Sequence, residues 1–383
     1  MLCAGNATMT DVPPSALPRR SLLLAAGALA CGRRKATGYP GYAFVANCDG
    51  RSVAVVDLTR FRVWKHIPLD AAPTAVLPHP ARPKVFVLAP DAGTLYEIDG
   101  PKLAVSRRTR AGVAALGMRL APDQQRLWVA YRSPAELVEL PLDSLAPRRR
   151  IRLAAPPDDF DLSRDDRAAV ASFATPSIAI VSLAAGSVER TIRTSAEPSI
   201  VRFQSDGRQL LAGSRGDRTV TIFDTATGRT VVRLPIPVEP RHFCFTSDGG
   251  QLFVTGEGMD GVVIVYPYDT EVAETVLAGR APGAMAVTDA PAYLMVANPG
   301  TNGITVLDVE TRKLVAVVNV GQEPGHILIT PDRQYALVLD RRSGDLAVIR
   351  IQALGARRYK MAPLFTMIPV GAGPVSAAVV AIS

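Results

Sequence analysis

The chain repeats itself about every 42 residues. Units open at Tyr42, Lys84, Arg126, Ala168, Gln209, Gln251, Tyr293 and Tyr335, and every interval is 42 residues except the 41 between the fourth and the fifth. A fixed period of this size marks a repeat architecture, in which each unit buries its apolar faces only against its neighbours. What must be settled is whether the unit is helical or extended.

Each unit carries the same signals. An apolar run is followed by a turn of Gly, Pro, Asn or Asp, a second run ending near Asp, a third run with a Pro-containing loop, and a strand such as "SIVRFQSDG" or "HILITPDRQ". Segments such as "RTVTIFD" and "NGITVLD" alternate with period two and are rich in β-branched residues, which is the strand signal. Helical repeats of similar length need apolar residues at i, i+3, i+4 and i+7 over a dozen positions, and the units lack that pattern. Four short strands per unit describe a propeller blade. The expectation is therefore an all-β protein: a β-propeller of four-stranded antiparallel blades, eight by this count with seven as the alternative, forming one domain over residues 42–383. The array opens on a second strand, Tyr42 to Asn47, and ends on "GPVSAAVVAIS", which matches a lone first strand. Pairing the two closes the ring and removes the open edges of a linear array.

The unit "YLMVANPGTNGITVLDVETRKLVAVVNVGQEPGHILITPDRQ", from Tyr293, resembles the YVTN-type, lactonase-like β-propeller repeat, whose pattern is an aromatic-Val-Thr-Asn start, an Asn-x-Val-x-Val-Ile-Asp middle and a Val-Gly-x-x-Pro-x-Gly plus Ser-Pro-Asp-Gly end. The resemblance runs over residues 42–383 and is weakest in the unit at Arg126. It implies the propeller fold and leaves the activity open, because such folds host many functions.

Composition narrows the classes further. With 48% apolar and 20% charged residues the chain has material for a large core and does not resemble a disordered polymer. The net charge of +8 rests almost wholly on arginine, since six of the 43 basic residues are Lys. These arginines are scattered, the longest cluster being Arg148, Arg149 and Arg150. Without a basic helix or an aromatic-interleaved basic stripe, no nucleic-acid partner is expected.

Residues 1–31 read as an export signal: paired Arg19 and Arg20, an apolar run from Leu22 to Ala30, then Cys31. The Arg-Arg-Ser-Leu-Leu-Leu order resembles a twin-arginine signal, and Ala28-Leu29-Ala30-Cys31 resembles a bacterial lipobox, making Cys31 the lipidation candidate. A run this short cannot span a bilayer, which needs about 20 residues, so membrane contact is expected only through that N-terminal lipid. Residues 32–41 read as a linker. The expected location is the periplasm or the envelope, as an anchored lipoprotein, and a monomer is expected. Cys48 and Cys244 in the remaining chain form no Cys-x-x-Cys or Cys-x-x-Cys-His motif, so neither a metal knuckle nor an attached c-type haem is implied.

The phrases "EPRHFCFTSDGGQLFV" from Glu239 and "EPGHILITPDRQYALV" from Glu323 point to the candidate site. The second position after the loop Pro lies near the mouth of the central channel, and through the repeats it is Ala75, Gly117, Asp159, Ile200, His242, Ala284, His326 and Ser376. His242, His326 and Asp159 are thus the candidate ligand-binding and metal-ligating residues. Neutral imidazoles and a carboxylate at a channel mouth suit a divalent metal or a tetrapyrrole iron, though each group could instead satisfy the backbone of a neighbouring blade. The loops between second and third strands should crown the same face, where Arg132, Arg215 and Arg341 would favour an anionic ligand. The leading function is an exported binding platform for a protein, a glycan or a small anionic ligand. The alternative is a cofactor- or metal-binding propeller enzyme, either a lactonase-like hydrolase or a haem d1-type ring, the latter because eight blades resembles the d1-haem domain of the cytochrome cd1 nitrite reductases.

Overall fold

The computed structural model describes residues 38–355 and 361–381. The export signal, with Cys31, lies outside these residues. Among them are eight four-stranded antiparallel sheets, and the only helical element is a single 3-10 turn, Ile351–Ala353. Blade 1 orders its strands Arg62–Pro68, Ser52–Asp57, Gly41–Asn47 and Pro374–Ala381, so its innermost strand comes from the far end of the chain. Blades 2 to 8 follow in sequence over 75–110, 113–152, 159–193, 198–235, 239–277, 285–319 and 324–369. The count of eight and the closure by the last strand both agree with the periodicity.

Packing explains why the second and third strands are continuously apolar. In strands such as Val85 to Ala89 and Val262 to Val265 every residue is buried, because both faces of a blade pack against other blades. Eight apolar clusters fill the eight interfaces. One joins Phe44 and Val55 of blade 1 to Val76 and Val87 of blade 2, and another joins Ala43 and Val45 of blade 1 to Leu337 and Val348 of blade 8, so the seam of the ring is packed like any other interface. Tyr39, which the sequence leaves in the linker, is buried in that seam cluster, and the packed chain therefore begins a few residues ahead of Tyr42.

Two recurring details position the channel wall. A bulge follows the loop Pro, with register shifts between Pro198 and Ile200, Pro240 and His242, and Pro324 and His326. The extra residue is pushed out of the ladder, and the next side chain is re-aimed. The second strand ends in Asn47, Asn298 or Asp340 in three blades, each buried. Asn47 donates from Nδ2 to Val370 O at 2.7 Å, and Asp340 accepts the Gly321 N–H at 2.9 Å. Those side chains tie down the loop entering the blade, so this part of the repeat is architecture.

Candidate functional site: the upper channel

The eight positions singled out by the repeat are structurally equivalent. Ala75, Gly117, Asp159, Ile200, His242, His326 and Ser376 pair with Leu88, Ala130, Ala171, Gly213, Thr255, Leu339 and Ala46 at one level of the second strand. Ala284 meets Ala297 at the same level through the Ala297 N–H. They form one tier around the upper channel, and from it side chains reach along the ring to the next blade. The Oδ2 of Asp159 accepts the Val201 N–H of blade 5 at 2.9 Å, and Ser376 Oγ accepts the Val76 N–H of blade 2 at 3.1 Å. An innermost strand has unpaired donors on its channel edge, and the neighbouring blade satisfies them.

His242 is exposed to the channel yet enclosed by the ring of blades. It opens on a cavity of about 550 Å³ with Glu257, Met259, Asp260 and Pro282. Burial among the blades, with the charges of Arg241 and Arg202, holds its imidazole below the ordinary histidine range and so neutral. His326 is half-buried, and its Nε2 has no hydrogen-bond partner among the described residues. Burial lowers its basicity too. Asp159 differs from both: its Oδ2 also receives Arg202 Nη1 at 2.5 Å, and Arg119 stands 4.0 Å from Oδ1. Among the described residues no three His, Cys, Asp or Glu side chains converge to hold a metal ion. The structure puts the three candidates in one tier but does not gather them into one coordination sphere.

Two of the three crown arginines are more tightly held than free charges on a rim would be. Arg132 donates from Nε to Pro157 O at 3.1 Å and reaches Asp158 at 3.4 Å, while Arg215 lies over the Phe173 ring at 5.7 Å. Arg341 is exposed. At the opposite end of the ring a groove of about 710 Å³ is lined by His79, Arg126, Glu139 and Arg148. There Arg126 pairs with Asp123 and Asp166, and Arg148 faces Glu139; His79 spends Nδ1 on the Ala81 and Arg82 N–H groups. Its charges answer one another.

A second tier lies one step deeper, two residues further along each innermost strand: Leu77, Arg119, Asp161, Arg202, Cys244, Ala286, Leu328 and Ala378. Asp161 accepts the Phe203 N–H at 2.9 Å, repeating the contact of Asp159 one level down. Burial raises its carboxyl, against the pull of Arg202 and the Phe203 N–H. The Cys244 thiol, pushed up to about 12 by burial, stays un-ionised. Arg119, Asp161 and Arg202 were not singled out by reading the repeat; extending the same alignment by two residues would have found them.

The comparisons with known proteins agree with this geometry. The model of the family "Lactonase, 7-bladed beta-propeller" matches residues 238–358, the stretch from blade 6 into blade 8. Over these residues the repeat is similar to that family's. The ring has eight blades, one more than that family description states. No curated protein sequence matches the chain. Among solved structures, dihydro-heme d1 dehydrogenase NirN in complex with DHE superposes with a TM-score of 0.75 at 16% identity, covering 88% of this chain and 75% of that one. Kuenenia stuttgartiensis hydrazine synthase superposes with a TM-score of 0.58 at 20% identity, covering 73% of this chain and 95% of that one. At these identities the likeness is one of fold.

Proposed function

We propose that the protein is an exported binding propeller whose upper channel takes a small anionic ligand, met by His242 and His326. The observation that carries this is the His326 Nε2, a buried nitrogen left without a hydrogen-bond partner among the described residues. Native structures seldom leave such an atom idle. His242, in the same tier two blades away, opens on the 550 Å³ cavity. The leader with Arg19, Arg20 and Cys31 supports delivery to the envelope.

A second reading, that the ligand is a tetrapyrrole, is favoured by the fold shared with a propeller described in complex with DHE. The residues fit such a group. Both imidazoles are kept neutral by burial, the state in which histidine ligates a metal, and His326 or His242 would hold the group through its metal. A bound tetrapyrrole would contribute ligand binding or electron transfer at its metal; the chain's own part is to present the imidazole and shield it from water.

Titration of the purified protein with haemin tests both readings. The expected result is a shifted Soret band that the His242→Ala, His326→Ala double variant loses without a change in melting temperature. No shift in the parent removes the tetrapyrrole, and a double variant that melts far below the parent makes the imidazoles packing groups and ends the channel reading.

A further inference from the structure

The lower tier divides the channel into two unlike walls. On one side stand Arg119 of blade 3, Asp161 of blade 4 and Arg202 of blade 5, with Asp159 just above. On the other stand Leu77, Ala286 and Leu328 of blades 2, 7 and 8, half-buried against the blade interfaces and without a charge among them. The hydrogen-bonding capacity of the charged wall is unevenly spent. Asp159 and Asp161 each give an oxygen to an edge N–H of blade 5. Arg202 Nη1 is committed at 2.5 Å to both Asp159 and Val201 O. Arg119 is not committed in this way: it donates to Met118 O at 3.2 Å, stays 4.0 Å from Asp159, rests 5.4 Å from the Phe160 ring centre, and leaves 37% of its side chain exposed. A guanidinium has five N–H donors in a flat fork, and most of this one's are free.

We propose that Arg119, supported by Arg202, is the carboxylate anchor of the channel, and that the ligand is an amphipathic acid whose apolar body lies against the opposite wall. This rests on the channel-binding reading above and names the ligand's chemistry. A guanidinium held over an aromatic ring keeps its plane and matches the two oxygens of a carboxylate. Arg202 is held close to Asp159, whereas Arg119 is the guanidinium of this wall without a close carboxylate partner. Of the crown arginines, Arg132 is tied to Pro157 and Asp158, while Arg341 is exposed on the rim loop, outside this tier.

The test uses protoporphyrin IX and its dimethyl ester, which share the apolar ring and differ in their carboxylates. Neither contains iron, so their binding does not depend on imidazole coordination. Fluorescence titration of the full protein should show the acid binding about tenfold or more tighter than the ester, the scale of one charge-assisted hydrogen-bonded contact. Arg119→Gln should remove that preference and leave ester binding unchanged, and Arg119→Lys, which keeps the charge without the fork, should fall between. Equal binding of acid and ester by the parent overturns the anchor, as does uptake of neither or an Arg119→Gln variant that loses both alike. Haemin uptake that persists while the acid preference is absent would sink the anchor alone and leave the channel reading standing.

Discussion

Asp159 of blade 4 holds Val201 and Arg202 of blade 5 at once, taking the Val201 N–H at 2.9 Å and the Arg202 guanidinium at 2.5 Å on a single oxygen. One side chain thus closes an exposed strand edge and fixes the cation beside the channel, which makes Asp159 a structural group first and a ligand group second. Asp159→Ala strands both the donor and the charge and should cost about 2 to 3 kcal/mol. Asp159→Asn keeps an acceptor for Val201 and should cost about half as much. Urea unfolding of the three proteins measures this, and an alanine variant as stable as the parent would show that the bridge contributes nothing.

Asp340 predicts a pH dependence. Burial pushes its carboxyl up to about 7, with the Gly321 N–H pulling the other way and Asp345 adding to the rise, and its Oδ1 has no partner among the described residues. Below the ordinary aspartate range both folded and unfolded chains hold the proton, and the group contributes nothing. As pH rises from there towards 7 the unfolded chain releases a proton that the folded chain keeps, so stability falls, and above 7 the loss is complete. Asn47 and Asn298 close the same strand in blades 1 and 7. Asp340→Asn should therefore stabilise the protein at pH 8, by at most about 4 kcal/mol, with a gain that vanishes below about pH 4. Melting curves across this range check it; a gain independent of pH would mean that the proton is not involved.

Export is expected to depend on the leader. Replacing Arg19 and Arg20 with Lys should strand the precursor in the cytoplasm, and Cys31→Ser should release the exported protein from the membrane fraction. Fractionation and immunoblotting read both. Normal export of the lysine variant would point to the ordinary secretory route, and unchanged membrane association of the serine variant would remove the lipid.

How much of this was written in the chain can be seen by comparing neighbouring residues. The 42-residue period, the alternation of "NGITVLD" and the lone strand "GPVSAAVVAIS" determined the propeller and its closure and favoured eight blades over seven, because strand period and turn chemistry are local properties that a linear sequence displays directly. The same periodicity brought His242, His326 and Asp159 into one tier. It did not distinguish an idle imidazole from an occupied carboxylate. That distinction depends on partners such as Val201 and Arg202, 42 and 43 residues from Asp159 in sequence and within 3 Å of it in space. The roles of Arg119, left with free donors, and of Arg132, tied down at the crown, were likewise decided only when adjacent blades came face to face. A side chain's remaining hydrogen-bonding capacity is set by what surrounds it in three dimensions, and no repeat pattern records that.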